Sequence, residues 1–195
     1  MTTRRTFIQA AATAVPASLA AVRVDAALLT NPSDLHAVVI DEEHAAARAF
    51  GRRLAAYGAG VLSIREGDIT SIWLTEVRET WKRRPAPISG LTTPAALFCF
   101  EQLAFAHGLR VVFHAEHVVS AGGGVHHELQ RTGPIIDLAA VDLARSGAHW
   151  PTRLADALSG RAKPRGSRPG PSLAALQPSI PEGATLLTSW IIAPV

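Results

Sequence analysis

The fold is decided by one stretch, Ala86-Pro-Ile-Ser-Gly-Leu-Thr-Thr-Pro-Ala-Ala-Leu-Phe-Cys-Phe-Glu-Gln-Leu-Ala-Phe-Ala-His-Gly-Leu-Arg-Val-Val-Phe-His-Ala-Glu-His117. It predicts a short strand, a glycine turn at Gly90, a helix and a second strand. The helix is expected to begin near Thr93, because Pro94 suits the first helical position, where its missing N–H costs nothing. Residues 109–113 form a nearly continuous apolar run, typical of a strand buried on both faces. The stretch therefore predicts a β-α-β unit.

The same alternation extends outward from this unit. Strands are predicted at residues 35–41 and 61–65, and helices at residues 42–57 and 68–84. After His117, two strand-like runs flank the glycine turn of residues 120–124 and predict an antiparallel hairpin at one edge of the sheet. A last apolar run, residues 184–193, is expected to return as a late strand. The fold class is therefore predicted as α/β, a single three-layer Rossmann-like domain with a mainly parallel sheet, an added antiparallel hairpin and a C-terminal strand.

The N-terminus carries a motif of another kind. Residues 3–9 read Thr-Arg-Arg-Thr-Phe-Ile-Gln, with paired Arg4 and Arg5 followed by Phe7. This order resembles the bacterial twin-arginine signal, and the Ala-rich segment after it is too short for a membrane span. The small residues ending at Ala20 and Ala26 suit signal peptidase. The resemblance covers about the first 26 residues and implies periplasmic localisation. Its implied partners are the twin-arginine (Tat) export machinery and signal peptidase, with no stable membrane span after cleavage.

Composition then divides the chain. Residues 1–26 are expected to be the export signal, 27–159 the α/β domain, 160–183 a Pro/Gly/Arg-rich linker or loop, and 184–195 the returning strand. The formal net charge of +3 includes arginines of the signal and of the linker, so no basic face for nucleic acid is predicted. The single cysteine, Cys99, excludes an internal disulfide and is expected to be a buried small hydrophobe.

One candidate ligand site lies at the carboxyl ends of the predicted parallel strands. Asp41 and Arg65 each follow or close a strand, and the Gly90 to Thr93 turn, with Thr92, precedes a helix. In open α/β sheets ligands bind at this edge, where helix N-termini favour anions. Helix capping by the two threonines and a solvated loop is the alternative interpretation of the same residues.

A second candidate site lies in the predicted hairpin. If the glycine turn pairs Val119 with Val125, His117 faces His127 across the ladder. These two imidazoles and a carboxylate such as Glu116 are candidate metal ligands, although alternation places Glu116 on the other face. The alternative is a solvent-exposed edge hairpin whose polar residues prevent pairing with other chains.

Sequences typical of several enzyme classes are absent from the chain. It has no Gly-x-Ser-x-Gly elbow, no Walker loop and no Gly-x-Gly-x-x-Gly fingerprint. We therefore expect a non-catalytic periplasmic protein that binds a small anionic ligand or serves as an accessory to a redox partner. The alternative is a small metal-dependent hydrolase or other metalloenzyme that uses the hairpin histidines. The sequence names no cofactor.

Overall fold

A computed structural model describes residues 35–131, 140–160 and 181–195 of the protein. The strands of this part are β1 (Ala37–Asp41), β2 (Gly60–Ile64), β3 (Ile88–Thr92), β4 (Leu109–Val119), β5 (Val125–Arg131) and β6 (Thr185–Pro194). The helices are α1 (Ala45–Ala55), α2 (Thr70–Ile72), α3 (Arg78–Arg83), α4 (Pro94–Phe105), α5 (Ala140–Arg145) and α6 (Trp150–Leu158). A π-helical turn, Trp73–Val77, joins α2 to α3, and a 3-10 turn, Gly147–His149, precedes α6.

The strands form one open sheet in the order β2-β1-β3-β6-β4-β5. β1 is parallel to both β2 and β3, whereas β6 is antiparallel to β3 and β4, and β5 is antiparallel to β4. The α/β class is therefore confirmed, as are the antiparallel hairpin and the late strand. Parallel pairing is confined to the β2, β1 and β3 end of the sheet, and the other strand pairs are antiparallel, so the sheet is mixed and the prediction of a mainly parallel sheet is wrong.

The position of β6 is the main difference from the predicted topology. We expected β3 and β4 to be neighbours in a β-α-β unit, but β6 lies between them. Its side chains from Leu187 to Ala193 are buried on both faces of the strand. A strand with apolar residues on both faces is more stable inside a sheet than at its edge, because an edge leaves backbone groups unpaired.

Buried side chains form two clusters on opposite sides of the sheet. Alternation along β1 sends Val38 and Ile40 into the first cluster and Val39 into the second. The first cluster contains side chains from α1 and α6, including Phe50 and Leu154. The second contains side chains from α3 and α4, namely Trp81, Ala96, Leu97, Phe100 and Ala104, together with Trp190 of β6. The sheet thus has an apolar covering on each face.

A β-bulge in β4 changes which side chains face which cluster. The register with β6 shifts between Val111 and Phe113, so Val112 is an extra residue. Val111 belongs to the second cluster, while Phe113 and Ala115 belong to the first. Continued alternation turns His117 toward the first cluster, on the side of α6. Without the bulge, His117 would face the other way.

Several local predictions need correction. The predicted turn at Gly90 is wrong, because β3 continues through Gly90 to Thr92. The helix predicted from residue 42 begins later, at Ala45. Cys99 is exposed on α4 rather than buried. Its neighbours Leu97 and Phe100 take the inward positions.

Some predictions fall on residues outside the described ranges. The export signal of residues 1–26 and most of the linker at 160–183 belong to this group. Among the residues that the structure describes, no helix has the length and apolar character that crossing a membrane requires.

Candidate functional site

The carboxyl ends of the three parallel strands meet at one edge of the sheet. Asp41 is the last residue of β1, Arg65 directly follows β2, and Thr92 is the last residue of β3, with Thr93 before α4. The chain leaves β1 toward β2 on one side, while β3 lies on the other side of β1. This is a topological switch point, the position where open α/β sheets bind ligands. The structure therefore brings four of the five predicted ligand residues to the ligand-binding edge of this architecture.

Arg65 and Asp41 differ in accessibility at this edge. The Arg65 guanidinium pairs with Glu42, Nε to Oε2 at 2.6 Å, and its side chain is 78% exposed. Asp41 is buried and its Oδ1 accepts a hydrogen bond from the Glu43 N–H at 3.3 Å. His44 Nε2 lies 3.8 Å from Asp41 Oδ2. An exposed ion pair contributes little to stability, so Arg65 can exchange Glu42 for an external anion at small cost.

Gly90 and Thr92 both contact the buried Trp190 side chain and are not exposed to a ligand. A Cβ at position 90 would lie 2.2 Å from Cζ2 of Trp190, so only glycine allows this indole to cross β3. The Trp190 indole Nε1 donates to Thr92 Oγ1 at 3.0 Å, and Thr92 Oγ1 donates to the Thr93 carbonyl at 3.1 Å. Thr93 makes no side-chain cap bond to α4. The capping interpretation is therefore wrong for Thr93. The Thr92 hydroxyl is the hydrogen-bond acceptor of the Trp190 indole.

The second candidate site is a buried pair of histidines. The predicted register is confirmed, with His117 opposite His127 and Glu116 opposite Glu128. The Nδ1 atoms of His117 and His127 are hydrogen-bonded at 2.8 Å. His117 Nε2 is also hydrogen-bonded, at 2.8 Å, to the Ser189 hydroxyl of β6. His117 is 0% exposed and His127 is 5% exposed, so the solvent-exposed hairpin interpretation is wrong for these two residues.

Trp150, the first residue of α6, covers both imidazoles. Its ring centroid lies 4.5 Å from that of His117 and 5.1 Å from that of His127. No pattern in the sequence predicts that Trp150 or Ser189 contacts the hairpin. Both come from elements distant in the chain, and the β4 bulge is needed to turn His117 toward them.

The hydrogen bonds leave one buried polar atom unpaired. If Ser189 donates to His117 Nε2, His117 donates through Nδ1 and His127 Nε2 carries a proton. If instead His117 Nε2 donates to Ser189, then His127 donates through its Nδ1 to His117, and His127 Nε2 is an acceptor. Within the described part of the chain, His127 Nε2 is buried without a hydrogen-bond partner in either case. Such a group destabilises the fold by about 1–3 kcal/mol.

Burial determines the charge state of the pair. Desolvation lowers the pKa of His117 well below its ordinary value, and the neighbouring His127 and His114 lower it further. Desolvation, assisted by His126, lowers the pKa of His127 to about 4. Both imidazoles are therefore neutral near pH 7, with nitrogen lone pairs available.

Glu116 does not join the histidine pair. It lies one residue before His117 in a regular part of β4, so its side chain leaves the opposite face of the sheet. Among the described residues, no three His, Cys, Asp or Glu side chains are placed to hold a metal ion together. The structure therefore brings together two of the three predicted ligands.

Comparison with protein-family models, curated proteins and solved structures gives no match to this chain. Function must therefore be argued from the geometry of the two sites.

Proposed function

We propose that this chain is a non-catalytic, exported protein that binds a small anionic ligand at the carboxyl ends of β1, β2 and β3. The observation that carries this proposal is the position of Arg65 and Thr93 at the switch point. A 12-residue helix, α4, begins directly after Thr93. Free N–H groups in its first turn and the exposed guanidinium favour a carboxylate or phosphate.

Export and architecture belong to the same proposal. The motif around Arg4, Arg5 and Phe7 supports transport to the periplasm by the twin-arginine route. The two core clusters on opposite faces support a three-layer, Rossmann-like arrangement. A periplasmic redox protein is the alternative binding partner, because twin-arginine substrates are commonly exported in the folded state and together with partners. The metal-dependent hydrolase stays a prediction, and the burial of both histidines does not favour it.

Ligand binding can be tested on protein purified from periplasm. Native mass spectrometry will show whether a small molecule or partner accompanies it. Thermal unfolding with inorganic phosphate and with succinate then provides a direct assay. We expect at least one anion to raise the midpoint of the wild type, and Arg65→Gln and Thr93→Val to abolish the rise.

Arg52→Gln is the matched control, because Arg52 is an exposed arginine of α1 away from the strand ends. It should respond as the wild type does. An equal response in the control and both site variants would contradict the proposed site. So would the absence of any bound molecule and of any response to either anion.

A further inference from the structure

The buried histidine pair presents a ligand set that fits one class of metal ion. Its two Nδ1 atoms point at each other across 2.8 Å, beneath the Trp150 ring. Both imidazoles can carry their protons on Nε2, as the hydrogen bond from His117 Nε2 to Ser189 Oγ allows. Two Nδ1 lone pairs then converge on one point. An ion held there needs only two protein ligands.

The charge around the pair selects a monovalent ion. No acidic side chain joins the two histidines within the described residues, and Glu116 leaves the other face. A divalent cation buried between two neutral ligands would remain largely uncompensated, at a high desolvation cost. A singly charged ion costs much less to bury, and the Trp150 ring packed against both imidazoles is an aromatic surface of the kind that attracts cations. Imidazole nitrogen suits copper, whereas alkali cations prefer oxygen.

The pair can open far enough to admit such an ion. A metal–nitrogen bond is about 2 Å long, so a linear nitrogen–metal–nitrogen unit requires the distance between the two Nδ1 atoms to increase by about 1 Å from its present 2.8 Å. His127 can supply this movement, because its Nε2 has no hydrogen bond to break. His117 stays in place through Ser189, as the second partner of a metal-bound histidine commonly does.

We propose that His117 and His127 bind one Cu⁺ ion through their Nδ1 atoms, in a buried two-coordinate site covered by Trp150 and oriented by Ser189. The ion takes the place of the hydrogen bond between the two rings. No proton is released, because the one proton held on an Nδ1 atom moves to Nε2 of the same ring, and the other ring already carries its proton on Nε2. This site is separate from the anion site at the strand ends, so either proposal can fail alone.

The test uses Cu⁺ itself, supplied anaerobically with ascorbate and a chromogenic Cu⁺ chelator as competitor. Every sample carries Cys99→Ser, since the exposed thiol of Cys99 is a soft ligand that would bind copper by itself. We expect about one Cu⁺ per chain, and X-ray absorption spectra of a two-coordinate nitrogen site. His117→Gln and His127→Gln should each weaken binding at least tenfold.

His126→Gln is the matched control, because His126 is the exposed neighbour of His127 and points to the opposite face. It should bind Cu⁺ as the parent does. His127→Gln remains informative if His117→Gln fails to fold, since it leaves the bond between His117 and Ser189 intact. The proposal is overturned if the Cys99→Ser protein binds no Cu⁺, if His127→Gln binds it equally well, or if Zn²⁺ displaces Cu⁺ from the pair.

Discussion

At the scale of single residues, Gly90 shows how a correct observation can receive the wrong interpretation. A glycine after a short apolar run is typical of a turn. Here it lies inside β3, without a left-handed backbone, because the Trp190 indole occupies the space of a side chain. Trp190 lies 100 residues further along the chain. Local sequence therefore could not distinguish a turn glycine from a glycine required by packing.

Gly90→Ala should destabilise the protein strongly. The new methyl group would overlap an indole that is itself fully buried, so the strand or the ring must move. Overpacking of this kind costs about 1–3 kcal/mol or more. Urea unfolding followed by circular dichroism measures the change in the free energy of unfolding.

Gly60→Ala is the control, since its nearest atom would be the His36 carbonyl oxygen at 3.5 Å, an ordinary contact. Its free energy of unfolding should change by less than about 1 kcal/mol. In a Trp190→Leu background, Gly90→Ala should cost much less. The same cost in both backgrounds would contradict the steric explanation.

Thr92 and Thr93 differ in their side-chain hydrogen bonds, and this difference leads to a second pair of predictions. Thr92→Val keeps the shape of the side chain but leaves the buried Trp190 N–H without its acceptor, which costs about 1–3 kcal/mol. Thr93→Val removes no capping bond and should change stability by less than about 0.5 kcal/mol. Thermal unfolding of the two variants side by side measures both effects. Equal losses would mean that the indole bond is not what distinguishes the two threonines.

At the scale of elements, the hairpin was predictable and its surroundings were not. The glycine turn determines the register, and the register alone places His117 opposite His127. Which face these side chains occupy depends on the bulge at Val112. Nothing in the run Val111-Val-Phe113 distinguishes a bulge from a regular strand. The burial of the pair, and its contact with Trp150, therefore required the structure.

Asp156 of α6 is hydrogen-bonded to two side chains on the side of α1. Its carboxylate accepts hydrogen bonds from Arg53 Nε at 2.6 Å and from the Tyr57 hydroxyl at 2.7 Å. Asp156→Asn should lower the free energy of unfolding by about 1 kcal/mol, because the pair is partly exposed to solvent. Asp142→Asn is the matched control, since its partner Arg145 is 3.8 Å away. Chemical denaturation of both variants at pH 7 measures the difference.

The effect of Asp156 should also depend on pH. Burial raises the pKa of this carboxyl, but the hydrogen bonds from Arg53 and Tyr57 together with the positive charges of Arg53 and Arg153 outweigh burial, so the pKa is lowered from 3.8. The ionised form is therefore favoured in the folded state. The stabilisation that the ionised carboxylate contributes is complete above its ordinary pKa of 3.8. It is lost as the pH falls through the lowered pKa of the folded state. The stability gap between wild type and Asp156→Asn should shrink in acid, and a gap that widens there would contradict this assignment.

At the scale of the whole molecule, the α/β class followed from the sequence, but strand number and order did not, because the predicted run at 109–113 and the first arm of the hairpin form one strand, β4. Alternating apolar runs and helical periods are local properties, so β1, α1, β2, β3 and α4 could be predicted within a few residues. The order of strands depends on contacts between distant segments. The apolar run of β6 was a sequence signal of a central position, because edge strands are rarely apolar on both sides.

The central position of β6 leads to a last prediction. A chain that ends at Ala184 lacks β6, and this leaves β3 and β4 without the strand that pairs with both. It also removes Trp190, Ile191 and Ile192 from the two core clusters. We expect this truncation to abolish cooperative unfolding and near-ultraviolet circular dichroism. Removing only Val195, which is exposed and follows β6, should change the free energy of unfolding by less than about 0.5 kcal/mol. A truncated chain that still unfolds cooperatively would mean that β3 and β4 can form a sheet without β6. In that case the late strand would be an addition to the fold and not its centre.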